Sequence, residues 1–331
     1  MSVLEYKDAL LHAILGLLWR QWSGLGVLGY ESLQRHDTFV DPEALLVASA
    51  GFARYDQRLY DLVASWLLRY GRLVNPTRLK ALLNKAPQAD EASLSYLAAL
   101  CFKAGDKRWG RLAERMHGKA HDKPIPLFYQ QDGTPLSYCP EEDAVALNCG
   151  FTRNTFIPQR KYRQNLPVTN ATLLLRCRSL FGVSSRADVI LQLLFTPCSI
   201  PQLVDLSGFA RSSVKEVLDE LEIAHAVSSV GTGMRNAAYV LANAAELKQM
   251  LQVEPPCHPV HWFNIYNAIG LIWGFVSNPV LSKLSEDTVR GEMKILFKKD
   301  IQPRLFHCGI PECQHLSSEA LSNLPALLST I

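Results

Sequence analysis

No stretch of the 331-residue chain stays apolar for the roughly 20 residues that a membrane-spanning helix needs. The longest apolar runs, 9–19 and 260–276, fall short, and the second is interrupted by His261, Asn264 and Asn267. The start of the chain carries Glu5 and Asp8 where a secretory leader needs a basic region. Eight cysteines are scattered without the spacing of a disulfide framework. These absences point to a reducing, cytoplasmic setting and no membrane. Charge of one sign is scarce as well. The formal net charge is +3, whereas a chain that binds nucleic acid by bulk neutralisation of phosphates is usually far more basic. Catalytic signatures are missing too. Gly24-x-Gly26 and Gly231-x-Gly233 lack the lysine and the strand-turn-helix setting of a phosphate loop, and no Gly-x-Ser-x-Gly elbow occurs. Neither catalysis nor a cofactor is expected.

What is present is a mainly α pattern with a small β element. Residues 1–117 read as a helical N-terminal domain. Asp41-Pro42-Glu43 has the order of a helix start: a capping acid, proline at the first helical position, and a second acid in the first turn. Asp56 and Asn75-Pro76 repeat the signal. Asp41–Leu83 therefore has a helix-turn-helix rhythm, which fits helical packing better than a second DNA-binding unit. Arg54, Arg58, Arg69, Arg72, Arg78 and Lys80 read as a solvated face.

Residues 118–168 form a turn-rich, basic connector, with short strands expected at 127–130 and 145–148. It ends in Arg153, Arg160, Lys161 and Arg163, with Phe156 and Tyr162 interleaved. From 150 to 190 the only acid is Asp188, and Arg176, Arg178 and Arg186 follow on the approach to the next domain. A strap of phosphate contacts and a solvated linker fit this composition equally well.

The most specific stretch lies within a third domain, 169–252. Ser185 and Asp188 have capping-box spacing, and Val189, Ile190, Leu193 and Leu194 supply an apolar side. Pro197 ends that helix. Ser199 and Gln202 open a second, short one, and Ser207-Gly208 makes a turn in which glycine adopts a left-handed conformation without steric penalty. In the third helix Val214, Val217, Leu218 and Leu221 follow i, i+3, i+4, i+7. Two β-rich runs, 226–230 and 238–241, flank Gly231-Thr232-Gly233 as a hairpin.

This order of elements resembles the winged helix-turn-helix of bacterial regulators. The resemblance implies a recognition helix in the DNA major groove, read from its N-terminal part. It assigns Arg211, Ser212, Ser213 and Lys215 to bases or adjacent phosphates, and Arg235 and Asn236 to the wing. Arg160, Lys161 and Arg163 would add backbone contacts. The flanks (Trp22 to Leu28, Asp41 to Leu46, Leu180 to Asp188) are also similar to long winged-helix, antitoxin-like proteins paired with nucleotidyltransferase-type toxins.

Two features depart from simple DNA reading. Ala210 stands where a capping Ser, Thr, Asp or Asn is usual, and Glu216, Asp219, Glu220 and Glu222 make the third helix net acidic. Either the acids sit on the solvent side away from DNA, or the unit is a protein-docking module.

Residues 253–331 read as a helical C-terminal domain around the aromatic 262–276 helix, a core element or a dimer contact. Cys308, Cys313 and His315 have the ligand types for zinc, but the spacing matches no tight signature. The expected partners are double-stranded DNA and a second copy of the chain, or alternatively a toxin-like protein.

Overall fold

A computed structural model describes residues 3–30, 37–86, 88–116, 123–136, 142–231 and 237–331. The N-terminal part is helical: α1 (Val3–Gly24), α2 (Pro42–Phe52), α3 (Gln57–Tyr70), α4 (Pro76–Leu83), α5 (Glu91–Lys103) and α6 (Gly110–Ala113). Its starts follow from side chains that occupy otherwise unsatisfied amides. Asp41 accepts from the N–H groups of Glu43 and Ala44, Asp56 from Leu59, and Asn75 from Thr77 and Arg78. Every residue of α2 except Gly51 is buried, so this helix packs and offers no face to a duplex.

In the connector, β1 (Ile125–Pro126) pairs in parallel with β2 (Phe151–Thr152), and α7 (Ala144–Asn148) lies between them. The strand expected at 145–148 is therefore a helix. Asp143 determines this by accepting from Val145 and Ala146 N–H, each at 2.9 Å.

Next come α8 (Leu173–Phe181), α9 (Ser185–Leu193), β3 (Cys198–Ser199), α10 (Ile200–Ser207), α11 (Arg211–Ile223), β4 (Val227–Val230), β5 (Ala238–Leu241) and α12 (Ala244–Met250). Strand β5 lies between β3 and β4, antiparallel to both, with Val227 opposite Leu241 and Cys198 opposite Tyr239. The chain then forms α13 (Trp262–Val276), α14 (Glu286–Leu296), α15 (Gln302–Phe306), α16 (Pro311–Gln314) and α17 (Leu324–Thr330).

Two cores result. The larger joins the N-terminal helices to the C-terminal ones, with Trp22, Trp66, Trp109 and Trp262 all buried in it. Helix α13 runs through this core, which settles the alternatives for 262–276 in favour of an internal element. The smaller core gathers residues 173–251 with Phe39. No described helix is long and apolar enough to cross a membrane.

Candidate nucleic-acid interface

Helix α11 buries Val214, Val217, Leu218 and Leu221 against α9 and α10. That apolar stripe turns Arg211, Ser212 and Lys215 outward, where they are exposed, and leaves Ser213 half-buried. Arg211 and Lys215 make no ion pair among the described residues. No side chain caps the helix at Ala210. The first-turn amides thus receive no side-chain acceptor from the N-cap position beside Arg211. Farther along, Glu216, Asp219 and Glu220 are exposed, and Glu220 pairs with Arg186.

The turn before α11 is built as expected. Gly208 has φ +73°, in the left-handed region. Gln202 Oε1 accepts from the Ser199 N–H at 2.8 Å, the reach-back half of a capping box. The box expected at Ser185 and Asp188 does not form. Ser184 caps α9, and Asp188 turns inward to Arg178. Arg235 and Asn236, expected at the wing tip, lie outside the described residues.

The unit is mounted on the larger core by a buried ion cluster. Arg78 of α4 contacts Asp41 at 2.5 Å and Glu43 at 2.6 Å. Arg178 of α8 contacts Glu43 at 2.6 Å and Asp188 at 3.0 Å. All five side chains are buried, a setting in which charges persist only when paired. Burial works against ionisation of Asp41, yet the Arg78 guanidinium holds it below the ordinary carboxylate value. Burial raises Asp188 above that value, against the pull of Arg178 and Arg78. His261, at the start of α13, adds a second mount through its Nε2, 3.1 Å from the carbonyl oxygen of Asp205 in α10.

Several cations expected at the surface are structural. Arg178 belongs to the cluster just described. Arg153 is buried and holds Asp61 at 2.7 Å. Arg176 is half-buried and donates to the carbonyls of Leu251 and Thr169. Arg78 and Arg54, expected on a solvated face, are withdrawn into ion pairs with Asp41 and Asp90.

Arg160, Lys161 and Arg163 are exposed. Their backbone is fixed along the edge of the larger core. Leu28 N–H donates to the Lys161 carbonyl at 2.9 Å, Arg163 N–H to Gly26 at 2.8 Å, and Tyr70 Oη–H to the Arg163 carbonyl at 2.7 Å. Two further cations stand beside this strap. Arg69 donates to the Gln164 carbonyl at 3.3 Å and Arg58 to that of Gly29 at 2.7 Å. Sequence reading set both apart from the strap, because only the chain crossing brings 26–29 and 160–164 together.

No known protein family, curated protein or solved structure matches this chain.

The zinc-type residues do not converge. Cys308 and Cys313 are buried and His315 is exposed. Among the described residues no three Cys, His, Asp or Glu side chains could hold a metal ion. The Cys308 thiol is instead hydrogen-bonded with Cys313, which lowers it from its ordinary value.

Proposed function

We propose that the chain is a sequence-specific DNA-binding regulator, with 185–241 acting as a winged helix-turn-helix of the bacterial regulator kind. The carrying observation is the outer N-terminal half of α11. It is uncapped, polar and unpacked, with Arg211 and Lys215 free of ion pairs among the described residues. Arg211 would pair with a guanine edge, while Ser212, Ser213 and Lys215 take adjacent bases or phosphates. Arg235 and Asn236 belong to the wing in this reading. Arg160, Lys161 and Arg163, with Arg58 and Arg69 alongside, form a separate cationic strap for the backbone. Selecting bound duplexes from a random pool, then measuring binding by anisotropy across salt, tests the proposal. Enrichment of one motif with salt-sensitive affinity is expected. Binding that neither enriches a sequence nor responds to salt would reject it.

A second reading is favoured by the acidic C-terminal half of α11. Glu216, Asp219 and Glu220 are exposed there, and a groove of about 590 Å³ lies alongside, walled by Ile190, Leu221, Leu247 and Met250. In this reading the unit docks a toxin-like protein, as in an autoregulating antitoxin. Charge reversal at Glu216 and Asp219 would then weaken the protein complex while sparing DNA.

A further inference from the structure

The larger core contains a cavity of about 330 Å³ between α2, α13 and the segment leading into α5. That is at the small end of the roughly 300–1,000 Å³ typical of ligand pockets. Its walls are aromatic. Trp273 meets Phe52 and Tyr55 edge-on, at centroid distances of 5.8 and 5.7 Å. Such an arrangement suits a flat ring.

Two features mark the wall of this space. Helix α13 carries Gly270 and Gly274 on the cavity side, although each interior glycine weakens a helix by about 1 kcal/mol relative to alanine. The Gln88 side chain lies along this glycine face, its Oε1 2.7 Å from where a Cβ at position 274 would stand. A buried acceptor is also left over. Asn267 lines the cavity at 7% exposure, and its Nδ2 donates to the Lys85 carbonyl at 3.2 Å. Its Oδ1 finds no partner among the described residues, and neither does the buried Ser277 Oγ. Buried polar atoms without a partner are uncommon in native proteins, and each needs an explanation.

Arg54 at the site is already paired, and Lys7 Nζ stands 5.3 Å from the Trp273 ring centroid. Arg54 contacts Asp90 at 2.5 Å, and three further donors go to the carbonyls of Pro126 and Leu127 and to Tyr129 Oη. Four of the five N–H donors of Arg54 are thus engaged, and its charge is met by Asp90.

We infer that this cavity is a binding site for a small, flat, uncharged heteroaromatic molecule bearing an N–H donor. The ring lies against Trp273, Phe52 and Tyr55, and the N–H is received by Asn267 Oδ1 once that amide turns toward the cavity. Gln88 and Ser277 complete the polar contacts. The site does not depend on the DNA-binding proposal.

Ligand-observed NMR on the full chain tests it, with indole and nicotinamide as neutral probes. Benzoate and benzamidine are the charged controls, and 1-methylindole lacks the donor. Indole and nicotinamide are expected to bind more tightly than either charged probe, and indole more tightly than 1-methylindole. Gly274→Leu displaces the flexible end of Gln88 and fills the space. It is expected to weaken indole by at least about tenfold while melting no lower than the parent. Equal binding of indole and 1-methylindole would overturn the proposal. So would preference for benzoate, or undiminished binding to a folded Gly274→Leu protein.

Discussion

Arg78 Nε lies 2.5 Å from the carbonyl oxygen of Ser207, so a buried guanidinium of α4 grips the last residue of α10. The next residue, Gly208, is packed so closely that an added Cβ would stand 3.1 Å from Leu82 Cδ2. The turn that aims α11 is therefore set by the larger core as much as by its own sequence.

Removing that grip should be costly. Arg78→Ala leaves Asp41 and Glu43 buried with one cation fewer, and a loss of about 3–5 kcal/mol is expected in urea unfolding. Arg78→Lys should not restore the parent, because the three donors of an ammonium cannot reproduce the four bonds that the planar fork makes to Asp41, Glu43 and Ser207. A fall below about 1 kcal/mol for Arg78→Ala would contradict the arrangement.

Gly208→Ala is expected to destabilise by about 1–2 kcal/mol, the penalty for a Cβ in the left-handed region. Contact with Leu82 adds to it. Thermal unfolding followed by circular dichroism measures this effect, and an unchanged melting temperature would be inconsistent with φ +73° at this position.

The ion cluster also predicts a pH dependence with opposing parts. Asp188 is raised, so the folded chain holds its proton more tightly than the unfolded chain does. Its contribution is full below the ordinary carboxylate range and is lost as pH rises through the raised value. Asp41 is lowered. Its contribution is full above the ordinary range and is lost as pH falls through the lowered value. Parent minus Asp188→Asn isolates the first part. From about pH 4 to pH 7 the parent should lose stability relative to the variant, and parallel curves would refute this.

Under the proposed function, DNA affinity should separate the two cationic groups. Arg211→Ala should lower affinity for the selected site by about 1–3 kcal/mol and relax preference at one base. Lys161→Ala should weaken all sequences alike and reduce the salt slope by about one. Leu218→Ala serves as the contrast. That side chain is fully buried, and its loss should cost about 2–5 kcal/mol of stability, whereas Arg211→Ala should leave stability unchanged.

What could be read from the sequence is what local spacing controls. The stripe Val214, Val217, Leu218 and Leu221, the Gly208 turn, and the caps at Asp41, Asp56 and Asn75 all involve residues within a few positions of one another. The structure follows them. The roles of the arginines were not legible. Arg178 meets Glu43 across 135 positions, and Arg153 meets Asp61 across 92. No periodicity records such a pairing, and an arginine resembles a surface residue until its partner is found. Asp188 is a nearer case: its spacing from Ser185 suggests a cap, but Arg178, ten positions earlier on the preceding helix, draws it inward. The cavity beside Trp273 was equally hidden, since its walls come from separate parts of the chain.

The two cores also imply an order of assembly. The larger one needs Leu10 of α1 and Leu328 of α17 together, so it cannot close until α17 has been synthesised. The smaller one draws, apart from Phe39, on residues 173–251. A unit with such short-range contacts can condense earlier on the ribosome. It would then wait, with Arg178 and Asp188 already at hand, to be captured by α2 and α4 when α17 arrives.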